Sequence, residues 1–223
     1  MSWRTLLVRG RRLSLVLTLG LLLAPAARAG TVSHTGTYAL SPYLNGGTYA
    51  FAPASFPKFD VAGQCLTSVC VKLDGGLYGE IGFENYQSYP VTVNVTFTGT
   101  LTVKRPDNTP LVTVQPTTTT TDNLPGFDGT LDYGGASGRT YTGVNPTQSG
   151  SQCFTGAADL ALFTGAGTIN LPMSATDLCT QTGASSWSLG AKAYATVTVT
   201  YEYTDCSVPG ERPTWGRLKD RYR

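Results

Sequence analysis

The chain has 223 residues, of which 41% are hydrophobic, 10% aromatic and 13% charged, with 26 Gly, 12 Tyr and a formal net charge of +2. Low charge with many Gly, Thr and Tyr suits an extracellular β-protein, because β-branched and aromatic residues fit a pleated, half-buried surface. The positive sign belongs to the N-terminus: without residues 1–29 there remain eleven cations against fourteen anions, a net of −3, and nucleic acid is not an expected partner.

The first element is a leader. Arg4, Arg9, Arg11 and Arg12 precede an apolar run from Leu13 to Leu23, followed by Pro25 and Ala27-Arg28-Ala29. This charged, apolar, small-residue order is that of a secretory signal peptide, expected to be cleaved after Ala29. An apolar core eleven residues long falls short of the roughly 20 that span a bilayer, which disfavours a retained anchor. The 194 residues that remain suit one β domain over 30–206, followed by a basic tail over 207–223.

Candidate strands follow at 31–40, 48–51, 66–73, 77–83, 91–103, 111–114, 158–163, 168–173 and 195–203. The clearest is 91–103, where Val91, Val93, Val95, Phe97, Leu101 and Val103 alternate with Thr and Asn. Period two predicts one buried and one wet face. In 195–203, Ala195, Val197, Val199, Tyr201 and Tyr203 repeat the pattern. Asn45-Gly46-Gly47, Asp74-Gly75-Gly76 and Pro106-Asp107-Asn108 read as turns. Residues 116–150, with five consecutive threonines at 117–121, read as a long surface connection. Strands without intervening helices predict an all-β fold, a single antiparallel β-sandwich of jelly-roll or Greek-key type.

Five cysteines, Cys65, Cys70, Cys153, Cys179 and Cys206, leave at least one unpaired in an oxidising compartment. Cys153 and Cys179 flank one β-rich stretch and could close it, and Cys70 could equally reach Cys206; the spacing leaves the connectivity open. None of the spacings is C-x-x-C and the sole histidine, His34, is remote, so disulfides are expected over zinc.

The tail after Cys206 carries five cations against two anions. Trp215, Leu218 and Tyr222 fall at helical spacing; the tail reads as a solvated or docked terminus or as a sorting signal, and in the second case Trp215, Arg217, Lys219 and Arg223 are the residues a sorting machinery would read.

A hydrolytic triad has only His34 as its base, with no motif around it. Ser55-Phe56-Pro57-Lys58 matches S-x-x-K without the partner motifs. Glu80 and Glu84 share a strand face but stand roughly 13 Å apart at about 3.3 Å per residue, too far for paired glycosidase carboxylates, and read as solvated. Asp122, Asp128 and Asp132 crowd one loop and offer oxygen ligands for calcium, although Asx residues also cap turns with no ion; no other cofactor is expected. The threonine row at 92–102 reads as a solvent face rather than an ice- or glycan-facing array.

Phe59-Asp60, Leu66-Thr67-Ser68-Val69, the stretch from Asp132 to Thr140, Ala158-Asp159-Leu160-Ala161-Leu162-Phe163-Thr164-Gly165 and the closing segment from Val197 to Tyr203 together resemble the choice-of-anchor E family, over most of residues 31–204. The resemblance implies a bacterial secreted or surface β-domain whose members end in differing sorting or anchoring signals, and it supplies no catalytic residues. Residues 207–223 hold neither a Pro-Glu-Pro motif with an apolar helix nor Leu-Pro-x-Thr-Gly, so attachment by those routes is not expected. The expectation is a non-catalytic structural or interaction domain of the cell surface or matrix, with an unidentified surface component as partner. The second expectation is a secreted carbohydrate-binding module using Tyr86, Tyr89, Tyr133 and Tyr141, if these rings are exposed and coplanar.

Overall fold

The computed structural model describes residues 29–183 and 186–206. The leader through residue 28 and the tail residues Trp215, Arg217, Lys219 and Arg223 lie outside the described residues. The described residues form ten strands and one short helix: β1 (Ala29–Tyr38), β2 (Thr48–Pro57), β3 (Gln64–Glu84), β4 (Val91–Lys104), β5 (Pro110–Val114), β6 (Thr117–Leu124), β7 (Gly138–Val144), β8 (Thr147–Phe154), α1 (Ala157–Phe163), β9 (Thr168–Thr182) and β10 (Ser186–Asp205).

The strands form two antiparallel five-stranded sheets. One runs β1-β10-β3-β7 with β8 also on β3; the other runs β2-β9-β4-β5 with β6 also on β4. The expected β-sandwich is what forms. Alternation explains the packing, since one face of each long strand is apolar: Val69, Val71, Leu73, Leu77, Ile81 and Phe83 of β3 face Val93, Val95, Phe97, Leu101 and Val103 of β4, all at most 1% exposed. The outer faces carry hydroxyl pairs across strands, including Thr96 with Thr119 at 3.0 Å, Thr102 with Thr113 at 3.0 Å and Ser33 with Thr200 at 2.8 Å. The threonine row therefore lies on the outer face, as its alternation implied.

Each sheet has a long central strand that takes two short strands end to end on one edge. On β4, β6 pairs with 91–98 and β5 with 101–104. On β3, β8 pairs with 69–76 and β7 with 79–84.

Four expectations are corrected. Asp74-Gly75-Gly76 is not a turn: β3 is continuous through it, and its glycines serve packing. A Cβ at Gly76 would meet the Tyr194 ring at 2.5 Å, and one at Gly75 would meet Leu101 and Val114 at 3.0 Å. The supposed connection at 116–150 contains β6, β7 and the start of β8, so its one long irregular stretch is 125–137. Residues 158–163 are helical, because Ala and Leu are good helix formers and Asp159 lies in the favourable first turn; Phe163 anchors the helix in the core at 1% exposure. Glu84 is buried rather than solvated, because the loop that follows β6 covers the end of β3.

The cysteines also pair otherwise than the flanking positions suggested. Cys153 lies directly opposite Cys70 on β8 and β3, and the two are bonded; Cys65 is bonded to Cys206. Neither Cys153–Cys179 nor Cys70–Cys206 forms. Cys179 sits opposite Phe97 in the other sheet, too far from Cys153 in the topology to reach it, and its thiol is free.

Candidate functional site

The aspartates proposed for calcium do not converge. Asp122, on β6, accepts the Tyr141 hydroxyl at 2.8 Å and lies 3.9 Å from Arg139 Nε. Asp128 accepts the backbone N–H groups of Thr130 and Ala136, both at 3.1 Å, and these hold its carboxyl below the usual pKa. Asp132 accepts Gly134 N–H at 2.8 Å. Asp128 and Asp132 cap turns while Asp122 is tied across to β7, and among the described residues no group of three His, Cys, Asp or Glu side chains could hold a metal ion.

The same loops explain Glu84. Ser137 donates its hydroxyl to Glu84 Oε1 at 2.5 Å and accepts Asp128 N–H at 3.2 Å, while Asn85 N–H donates to the Ser137 carbonyl at 2.9 Å. Asn85 Nδ2 reaches the carbonyls of Tyr89 and Pro125 at 3.0 and 2.7 Å. The irregular loop thus folds down over the end of β3 and removes Glu84 from water, while Glu80, four residues earlier, stays exposed.

The four tyrosines do not make one platform. Tyr141 is tied to Asp122 and Tyr133 donates to or accepts from Ser186 at 3.2 Å. Tyr86 packs edge-on against Phe127 with centroids 5.1 Å apart, and Tyr89 is exposed. His34 lies on β1 with its ring edge toward Tyr201 at 5.9 Å, opposite Val199, without a serine or carboxylate across from it.

An aromatic cleft that the sequence did not announce lies on the outer face of the first sheet. Tyr78 of β3 stands directly opposite Lys192 of β10, and Glu80 opposite Gly190. The segment between β1 and β2 is pinned to the edge of β10: Ser41 N–H donates to Ala193 O and Leu44 N–H to Ala191 O, each at 2.8 Å. Leu44 enters the core, and Tyr43 is left outside, lying over Gly190, where a Cβ would meet its ring at 3.1 Å. Lys192 Nζ sits 4.6 Å from the Tyr43 centroid, within cation–π reach. A bulge in the β3–β7 pairing opposite Glu80 brings Thr142 to the far wall. The result is a cleft of about 170 Å³ between two exposed tyrosines, 58% for Tyr43 and 48% for Tyr78, with a carboxylate and an ammonium at its rim. The signal available in sequence was faint: Tyr43 stands two residues before the Asn45-Gly46-Gly47 turn, and Tyr78 beside strand glycines that imitate one.

No family model and no curated protein matches the chain. Among solved structures it is similar to that of infectious bursal disease virus Gx strain, at 12% identity and TM-score 0.25, over 82% of this chain and 37% of that one. The infectious bursal disease virus VP2 subviral particle is similar at 13% identity and TM-score 0.27, over 81% and 37%. The chain thus spans little more than a third of the chains it matches, and at these scores the likeness carries no argument about function.

Proposed function

We propose that this chain is an exported, non-catalytic structural or interaction domain of the bacterial cell surface or extracellular matrix, of the kind the choice-of-anchor E resemblance implies. The observation that carries this reading is the pair of disulfides, which join positions 141 and 83 residues apart in one sheet. Such bonds persist in oxidising compartments and are reduced in most cytosols. No helix among the described residues is long and apolar enough to cross a membrane. His34 beside an aromatic ring and capped aspartates in turns favour scaffold over catalysis. The basic tail, with Trp215, is the segment a sorting machinery would recognise.

Fractionation of cells making the full chain and a version ending at Cys206 tests this. The full chain is expected in the envelope or medium in oxidised form. Both versions remaining in the cytosol would overturn the reading, and identical location with an uncut tail would remove the sorting role.

The cleft between Tyr43 and Tyr78 favours a second reading, a carbohydrate-binding module, because an apolar ring face with polar rim groups is how proteins hold a sugar ring. Glycan-array binding that is lost in Tyr43→Ala and Tyr78→Ala supports it; a blank array removes it.

A further inference from the structure

Asp177 occupies an inward-facing position of β9, in series with the buried Ile169, Leu171, Met173 and Ala175. It is 5% exposed. Its Oδ1 accepts Gly46 N–H at 2.8 Å, and Oδ2 has no hydrogen-bond partner among the described residues. Leaving a buried carboxylate oxygen unpaired is costly, and none of the ion pairs among the described residues reaches it. Lys192, on the neighbouring β10, is turned to the outer face over Tyr43.

Beside this carboxylate a pocket of about 440 Å³ opens between β9 and β10. It exists because the flanking strands stop short: β2 pairs with β9 only as far as Thr176, and β1 with β10 only as far back as Ala195. Its walls are Leu178, Cys179, Trp187, Leu189 and the Asn45-Gly46 turn, in which both residues have positive φ. Leu178 at 61% and Trp187 at 45% leave large apolar surfaces in water at the mouth.

We propose that this pocket binds an ammonium group carried on an apolar stem, the cation pairing with Asp177 and the stem packing against Trp187, Leu178 and Leu189. An ammonium supplies the donors that the carboxylate lacks, and the indole face accepts both a cation and an apolar body. A neutral ligand of the same shape fills the space but leaves the carboxylate unpaired, and an anion is repelled. The site is separate from the tyrosine cleft and does not depend on it.

Cys179 makes the test direct, because it lines the pocket and its thiol is free. Its alkylation by iodoacetamide, followed by intact mass without reductant, is expected to slow saturably with phenethylamine. Phenethyl alcohol is expected to protect about tenfold less well, the worth of a charge-assisted over a neutral hydrogen bond. Asp177→Asn is expected to erase that difference. Fluorescence of Trp187 in a Trp3→Phe/Trp215→Phe chain reads the same titration independently of the thiol. Nα-acetyl-lysine methylamide tells a free amine from a basic side chain: protection by either supports the site and names its source. Equal effects of amine and alcohol on the unmutated pocket, or no effect of either amine on thiol and fluorescence alike, would overturn the proposal.

Discussion

The side chain of Leu77 on β3 lies against the Cα of Gly99 on β4, so close that a Cβ at 99 would stand 2.7 Å from Leu77 Cδ1. These residues mark where each long strand changes partners. Gly99 N–H donates to Pro116 O at 2.9 Å, between the strands β5 and β6, and Leu77 N–H donates to Pro146 O at 3.1 Å, between β7 and β8. The two breaks thus face each other across the core, and the leucine fills the space the glycine leaves. Gly99→Ala is expected to cost about 1–3 kcal/mol by overpacking. Leu77→Ala is expected to cost about 2–5 kcal/mol as a cavity. In urea unfolding the double variant should lose less than the sum, since each change relieves the other; strict additivity would contradict this contact.

The disulfide Cys65–Cys206 closes a loop of 141 residues and Cys70–Cys153 a nested one of 83. Chain-entropy arguments put each at about 4–5 kcal/mol as an upper bound, with the nested pair worth less once the outer bond is present. Paired Cys→Ser variants are therefore expected to melt well below the parent, and the double loss should fall short of additive. Alkylation before reduction should label one thiol, and after reduction all five.

Burial raises the carboxyl pKa of Asp177 above 3.8 in the folded state, and burial, with the nearby carboxylate charge adding to it, pushes the Cys179 thiol up. The native state therefore holds this proton more tightly than the unfolded chain does. Its contribution to stability is complete below the unfolded pKa and is lost as pH rises through the folded one. Asp177→Asn is expected to raise Tm near neutral pH, with the gain vanishing below about pH 3.8. A constant offset at all pH values would show that the acid is not desolvated as described.

Much of the sandwich was legible because alternation is strong where one face is apolar. Val91 to Val103 reads as a strand, and β4 is that strand. The threonine run failed as a signal because Thr117 to Thr121 offers no apolar partner to alternate with, although β6 pairs along β4 from Thr117 through to Leu124. Gly75 and Gly76 imitate a turn, and what makes them strand residues is Leu101, Val114 and Tyr194 lying over them from elsewhere in the chain. Leu160 and Leu162 imitate period two inside a helix. The tyrosine cleft and the Asp177 pocket were invisible for the same reason: Tyr43 meets Lys192, and Asp177 meets Gly46, only through the register of distant strands.

Arg105 bridges α1 to the end of β4. Its guanidinium pairs with Asp159 at 2.5 Å and lies 5.5 Å from the Phe154 ring centroid, with both charged side chains at most 25% exposed. Arg105→Ala is expected to cost about 1–3 kcal/mol, mostly by leaving Asp159 half-buried and unpaired. Thermal melts should place Asp159→Asn nearer the parent than Arg105→Ala; the reverse order would show that the costlier orphan is the Arg105 cation and contradict this account.

Export into an oxidising compartment is the centre of this account, and intact mass of the protein recovered from the envelope or medium, without reductant, tests it most directly. The expected product begins at Gly30 and is lighter by four hydrogens than its reduced sequence, for the two disulfides. A product retaining residues 1–29, found in the cytosol with all five thiols open to alkylation, would contradict it.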